Sequence, residues 1–158
     1  MAILLRSAVI LLVEDDPNDV IFLQRAFKKA DVTVPIRLAR DGQEAIDYLS
    51  HAGAFQDREI NPTPCLIILD LTLPKKNGLE VLHWLRQQPE LQDLPVVMVT
   101  SLGEANARER AVHEGIEAFR VKPMSLEELV VFASEIRIEV ENHCKDAAPC
   151  PEKGPTGL

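Results

Sequence analysis

The sequence lacks the features that would assign it to several common functional classes. It has no cluster of basic residues, and its formal net charge of -8 is opposite in sign to that of a general nucleic-acid binder. No apolar stretch approaches the ~20 residues of a membrane-spanning helix. The apolar N-terminal stretch has no basic start, so it predicts a strand and not a signal peptide. We therefore expect a soluble, cytoplasmic protein with neither nucleic acid nor membrane as a partner.

Cysteine is also scarce. Of the three cysteines, Cys65 lies in an apolar run, whereas Cys144 and Cys150 lie in a polar C-terminal stretch. This distribution predicts neither a metal site nor a disulfide framework, so we expect reduced thiols. A disulfide between Cys144 and Cys150 is the alternative.

The 158 residues suit one domain with a core large enough to fold alone. Short apolar runs alternate with segments of helical spacing, a pattern typical of strand–helix units on a parallel sheet. The predicted strands cover residues 8–13, 34–39, 65–69, 95–99 and 117–121. We expect the domain to span residues 6–140 and a flexible tail with several prolines and glycines to occupy 141–158, with no output domain.

Capping residues predict where the helices begin. Asp16 precedes Pro17, and Asp41 precedes the second helix. A third helix is predicted over 78–88, and residues 104–114 should form a loosely packed fourth. Ser125 and Glu128 form a capping box that starts the last helix. Its predicted inner face is Leu126, Leu129, Val130, Ala133 and Ile136. This leaves Val131, Phe132 and Ile138 either as a candidate partner surface or as scattered exposed apolar residues.

Polar side chains follow four of the apolar runs. Glu14 and Asp15 follow the first, Asp70 follows the third, Thr100 follows the fourth, and Lys122 follows the fifth. Because the strands of a parallel sheet point the same way, these groups should meet at one edge. Three close carboxylates repel one another unless a cation lies among them, and an oxygen-only set suits Mg²⁺.

With Mg²⁺ bound, one carboxylate could attack phosphorus and form an acyl phosphate. Lys122 would then neutralise charge on the transferred group, and Thr100 would hydrogen-bond to it. Taken singly, each residue could instead cap a turn or lie in solvent, but four strand ends together favour a phosphoryl site.

The chain resembles the response-regulator receiver domains of two-component signalling. The matching motifs are Leu12-Val13-Glu14-Asp15-Asp16-Pro17, Asp70-Leu71-Thr72-Leu73-Pro74 with Asn77-Gly78, Val99-Thr100-Ser101, and Val121-Lys122-Pro123. The resemblance implies an α/β, flavodoxin-like (βα)5 sandwich whose five parallel strands follow the order 2-1-3-4-5. It also implies a phosphoprotein that signals and does not turn over a substrate.

By this resemblance Asp70 is the phosphoacceptor. Asp15, Asp70 and the backbone carbonyl of Thr72 hold Mg²⁺, Glu14 holds it through a water molecule, and Lys122 pairs with the phosphoryl group. Thr100 and Phe119 match the family's switch pair, and the peptide before Pro123 is expected to be cis. Because Thr72 and Leu102 flank the site without a carboxylate or amide to orient water, self-dephosphorylation should be slow.

The loop before Cys65 and the Leu-Pro-Lys-Lys-Asn-Gly turn resemble the single-domain regulators that accompany bacterial phytochromes. The resemblance implies a histidine kinase, a phytochrome-type kinase among the candidates, and a downstream protein as partners. It also implies a homodimer through the last helix, with Val131, Phe132 and Ile138 in contact. The alternatives are a haloacid-dehalogenase-type phosphatase, a flavin-binding module and a chemotaxis-type regulator with a different partner.

Overall fold

The protein is described by a computed structural model that covers residues 6–101 and 105–149, with only the backbone at Ala105. Within these residues, five parallel strands form a sheet in the order β2-β1-β3-β4-β5. This order confirms the predicted flavodoxin-like fold. The strands are β1 Ser7–Val13, β2 Ile36–Ala39, β3 Pro64–Asp70, β4 Val96–Thr100 and β5 Ala118–Val121.

Five helices connect or follow these strands: α1 Pro17–Lys29, α2 Gly42–Ser50, α3 Gly78–Gln87, α4 Ala105–His113 and α5 Leu126–Cys144. A short 3-10 turn over Gly53–Phe55 lies in the predicted loop before β3. The caps predicted at Asp16, Asp41 and Ser125 are confirmed, since each side chain accepts a hydrogen bond from a first-turn amide. None of the helices in the described residues is long and apolar enough to cross a membrane.

The sheet is buried between two helical layers, each with its own apolar cluster. On one face, α2, α3 and α4 cover side chains such as Leu11, Ile67 and Met98. On the other, α1 and α5 cover the alternate side chains, among them Ile68 and Val97. The central strands therefore bury both faces, which explains their continuous apolar runs. Among the described residues of α4, only Ala107 and Ala111 are buried, which agrees with the light packing predicted for this helix.

The inner face of α5 differs from the prediction. Leu126 and Val130 are exposed, whereas Phe132 is only 4% exposed and packs near Phe27 of α1. The buried stripe is Phe132, Ala133, Ile136 and Cys144. The prediction was wrong for these residues because residues 130–133 are all apolar, and such a run does not define which side of a helix faces the core. Val131 and Ile138 are exposed as predicted.

The C-terminal boundary also needs correction. α5 continues to Cys144, beyond the expected end of the domain at residue 140, and Ala148 forms a parallel bridge with Ser7. Cys144 is buried and disulfide-bonded to Cys65 of β3, with their Cα atoms 5.3 Å apart. The expectation of reduced thiols is contradicted because the longer helix brings Cys144 back to the sheet. Cys150 and residues 150–158 lie outside the described residues.

Candidate functional site

Four strands deliver the predicted polar groups to one edge of the sheet. Asp70 is the last residue of β3 and Thr100 the last of β4, and both are almost fully buried. Glu14 follows β1 and is 2% exposed, and Lys122 follows β5. The parallel direction of the strands places all four positions at the carboxyl edge, where folds of this kind bind ligands.

Lys122 is the centre of the cluster. Its ammonium nitrogen lies 2.8 Å from Asp70 Oδ2, 2.8 Å from Glu14 Oε2 and 2.9 Å from Asp19 Oδ2. The side chain of Lys122 is 16% exposed. An ammonium group has three N–H donors, so these three carboxylates can occupy all of them.

The two buried carboxylates are held in the same way. One oxygen of each pairs with Lys122, and the other accepts a hydrogen bond from a backbone amide two residues later. Glu14 Oε1 accepts from the Asp16 amide at 3.1 Å, and Asp70 Oδ1 accepts from the Thr72 amide at 3.0 Å. Both side chains are therefore fixed at the edge of the sheet before any ligand binds.

Burial and hydrogen bonding act in opposite directions on the pKa values of Glu14 and Lys122. Burial raises the pKa of Glu14 to about 7, although the hydrogen bond from Lys122 opposes this change. Burial alone would lower the pKa of Lys122, but its hydrogen bonds to Asp70, Glu14 and Asp19 raise that pKa above its ordinary value. The site therefore contains more negative charge than one ammonium neutralises, which favours a bound cation.

Three of the predicted metal ligands lie together. Carboxylate oxygens of Glu14, Asp15 and Asp70 all fall within 4.8 Å of one another, and only Asp15 is exposed to solvent. This oxygen-only set fits Mg²⁺, which prefers oxygen ligands and keeps several of its waters. Thr72 follows in the turn after β3, and its amide bonds to Asp70.

The turn after Asp70 is shaped by Asn77 and Gly78. Asn77 caps α3 by accepting a hydrogen bond from the amide of Glu80 at 2.9 Å. A side chain at Gly78 would collide with the backbone of Asp70 and Leu71, so only glycine allows α3 to start this close to the site. The Gly78 amide also donates to the Leu71 carbonyl at 2.8 Å, which closes the turn.

The proposed switch residues lie on neighbouring strands. Thr100 is 2% exposed at the end of β4, and its backbone carbonyl accepts a hydrogen bond from the Lys122 amide. Phe119 of β5 is half-buried and packs against the cluster under α3 and α4. A change at the strand ends can therefore reach the face that carries α4 and β5.

The expected cis peptide before Pro123 is contradicted. Within the described residues every peptide bond is trans, including the bond between Lys122 and Pro123. The trans form of a bond before proline is favoured by about 0.5–1 kcal/mol in the absence of other constraints. In the trans form, Lys122 still reaches the three carboxylates.

Sequence reasoning missed Asp19. The residue lies in the first turn of α1, and its carboxylate contacts Lys122 across 103 positions of sequence. The sequence could have indicated this contact, because α1 starts at the same edge of the sheet. Asp19 also lies in its first turn, just before Val20, the first residue of its buried stripe. Asp19 also borders an apolar groove that includes Phe22, Met124 and Leu126, all more than half exposed.

Comparison with known proteins identifies the family. The sequence model of the family "response regulator receiver domain" matches residues 10–133 of the chain. The probable methanogenesis regulatory protein FilR2 of Methanothrix harundinacea is 35% identical over 130 residues, which cover 82% of this chain and 81% of FilR2. Response regulator Rcp1 of Synechocystis is 41% identical over 93 residues, covering 59% of this chain and 61% of Rcp1.

Solved structures give the same result. The crystal structure of the Mn²⁺-bound form of Rcp1 has a TM-score of 0.75 at 32% identity, covering 82% of this chain and 91% of that one. The phosphorylated cyanobacterial phytochrome response regulator RcpA has a TM-score of 0.76 at 31% identity, covering 90% and 97%. The chain belongs to the family of response regulator receiver domains, and its relatives include phytochrome response regulators.

Proposed function

We propose that the protein is a response regulator whose Asp70 accepts a phosphoryl group from a sensor histidine kinase. The observation that carries this proposal is the environment of Asp70, which is 4% exposed, lies 2.8 Å from Lys122 and shares a small space with Glu14 and Asp15. A haloacid-dehalogenase-type phosphatase is not favoured, because the family match covers most of the chain.

Each residue of the site has a proposed role. Glu14, Asp15, Asp70 and the Thr72 carbonyl would hold Mg²⁺, which when bound neutralises charge on the transferring phosphoryl group. Asp70 attacks phosphorus, and the donor nitrogen leaves as the bond to Asp70 forms. Lys122 then moves from the carboxylates to a phosphoryl oxygen. Thr100 donates its hydroxyl to another oxygen, and Phe119 turns into the space that Thr100 leaves.

The output of this reaction is a change of protein surface. The phosphoryl group adds about -1.5 to -2 charge, and it contacts Lys122 and Thr100 only in the active arrangement. α4 is lightly anchored by Ala107 and Ala111, so the surface made by α4, β5 and α5 can shift. We expect a downstream protein to bind there. Val131 and Ile138, both more than half exposed, would serve a homodimer, whereas buried Phe132 would not.

The donor is proposed to be a phytochrome-type histidine kinase, which the likeness to the phytochrome response regulator RcpA supports. The exposed apolar groove beside Asp19 offers a contact surface for that kinase. We also propose slow self-dephosphorylation, because exposed Thr72 offers no carboxylate or amide beside Asp70. Leu102, the other residue behind this expectation, lies outside the described residues.

Acetyl phosphate and Mg²⁺ provide the test. The protein should gain one phosphoryl group in intact-mass measurements, Asp70→Asn should gain none, and omission of Mg²⁺ should abolish the gain. Without the donor, the adduct should decay over minutes or longer. No adduct on the wild type, or an equal adduct on Asp70→Asn, would overturn the assignment of Asp70. Decay within seconds would overturn only the claim of slow self-dephosphorylation.

A further inference from the structure

We infer that Asp19 is a positioning residue that restrains Lys122 and thereby limits the rate at which Asp70 is phosphorylated. This inference rests on the proposed function of Asp70. It concerns a residue that belongs neither to the strand-end motifs nor to the group of carboxylates that can hold a metal ion.

Three carboxylates surround the ammonium group of Lys122. Asp19 Oδ2 lies 2.9 Å from the ammonium, while Asp70 and Glu14 lie 2.8 Å away. Lys122 therefore has its three N–H groups directed at three carboxylates. A phosphoryl oxygen on Asp70 can bind Lys122 only if one of these contacts is given up.

Asp19 differs from the other two carboxylates because it lies on a helix and not at the end of a strand. Glu14 and Asp70 follow or end their strands, and each has a second oxygen held by a backbone amide. Asp19 belongs to α1, and its side chain is 37% exposed at the border of the apolar groove. It thus holds Lys122 from the side of α1, independently of the sheet.

The contact between Asp19 and Lys122 is an ion pair, so the charge of Asp19 can be tested apart from its shape. The carboxylate of Asp19 is a third negatively charged partner, 2.9 Å from the Lys122 ammonium. Replacing the carboxylate by an amide keeps the shape and one acceptor oxygen but removes the charge. Lys122 should then be more available to an incoming phosphoryl group.

The test compares rate constants for phosphorylation by acetyl phosphate at fixed ionic strength and saturating Mg²⁺. Asp19→Asn should increase the apparent second-order rate constant about two- to fivefold, the range that a partly exposed ion pair supports. Asp19→Glu, which keeps the charge, should return the rate constant toward the wild-type value. This rescue separates a charge effect on Lys122 from a change in helix packing.

Asp16→Asn is the matched control. Asp16 lies in the same segment and caps α1, and asparagine caps equally well, so this variant removes one negative charge without touching Lys122. Its rate constant should equal that of the wild type. An equal increase in Asp16→Asn and Asp19→Asn, or no increase in Asp19→Asn, would overturn the role of Asp19. A wild type that takes up no phosphoryl group would instead refute the proposed function itself.

Discussion

At the scale of single residues, Glu14 links the site to pH. Its carboxyl group is buried, and burial raises its pKa to about 7. A carboxyl whose pKa is raised in the folded protein stabilises the fold below its unfolded pKa of 4.5, and this contribution is lost as the pH rises through 7. The proposed Mg²⁺ site needs Glu14 in its ionised form, so Mg²⁺ binding should release a proton from Glu14.

The affinity for Mg²⁺ should therefore rise between pH 6 and pH 8, with a slope of up to about tenfold per pH unit below the pKa of Glu14. Isothermal titration calorimetry at several pH values would measure this slope. Glu14→Gln should bind Mg²⁺ weakly and with little pH dependence over the same range. Asp16→Asn, which changes an exposed acid nearby, should keep the wild-type slope. Equal wild-type affinity at pH 6 and pH 8 would contradict the role of Glu14.

At the scale of elements, how much the sequence predicts depends on the kind of element. The buried strands were predictable because a continuous apolar run ending in a polar residue identifies both the strand and its functional end, as at Asp70. The side of α5 that faces the core was not predictable in this way. Residues 130–133 are all apolar, and the contact of Phe132 with α1, 105 positions from Phe27, decides which of them is buried.

A pair of neighbouring substitutions can test which side of α5 faces the core. Phe132→Ala should lower the free energy of unfolding by about 3–5 kcal/mol, because it empties a packed position between α1 and the sheet. Val131→Ala, at a position 59% exposed, should change it by less than about 0.5 kcal/mol. Urea unfolding followed by circular dichroism measures both, and Phe132→Leu is a milder variant should Phe132→Ala not fold. An equal loss in the free energy of unfolding at the two positions would show that α5 does not bury Phe132 and expose Val131.

At the scale of the whole molecule, the described part of the C-terminal segment, residues 141–149, packs against the sheet. The bond between Cys65 and Cys144 joins residues 79 positions apart, and the backbones of Arg6, Ala8 and Ala148 exchange hydrogen bonds just beyond it. No local pattern predicts such a pair, because it depends on the length of α5 and on its direction across β3. A separate long-range contact brings Asp19 to Lys122, and the order of motifs along the chain does not show it.

Reduction of this disulfide should destabilise the domain without unfolding it. Closing a loop of this length removes entropy from the unfolded chain and typically contributes about 2–4 kcal/mol. The fold should survive, since Cys65 Sγ lies 3.5 Å from the Val9 carbonyl, which can accept a hydrogen bond from the thiol. A reductant should therefore lower the free energy of unfolding of the wild type and of Cys150→Ser equally, but leave Cys144→Ser unchanged. Three free thiols in the untreated wild type, or identical unfolding curves with and without reductant, would show that the two cysteines are not bonded in solution.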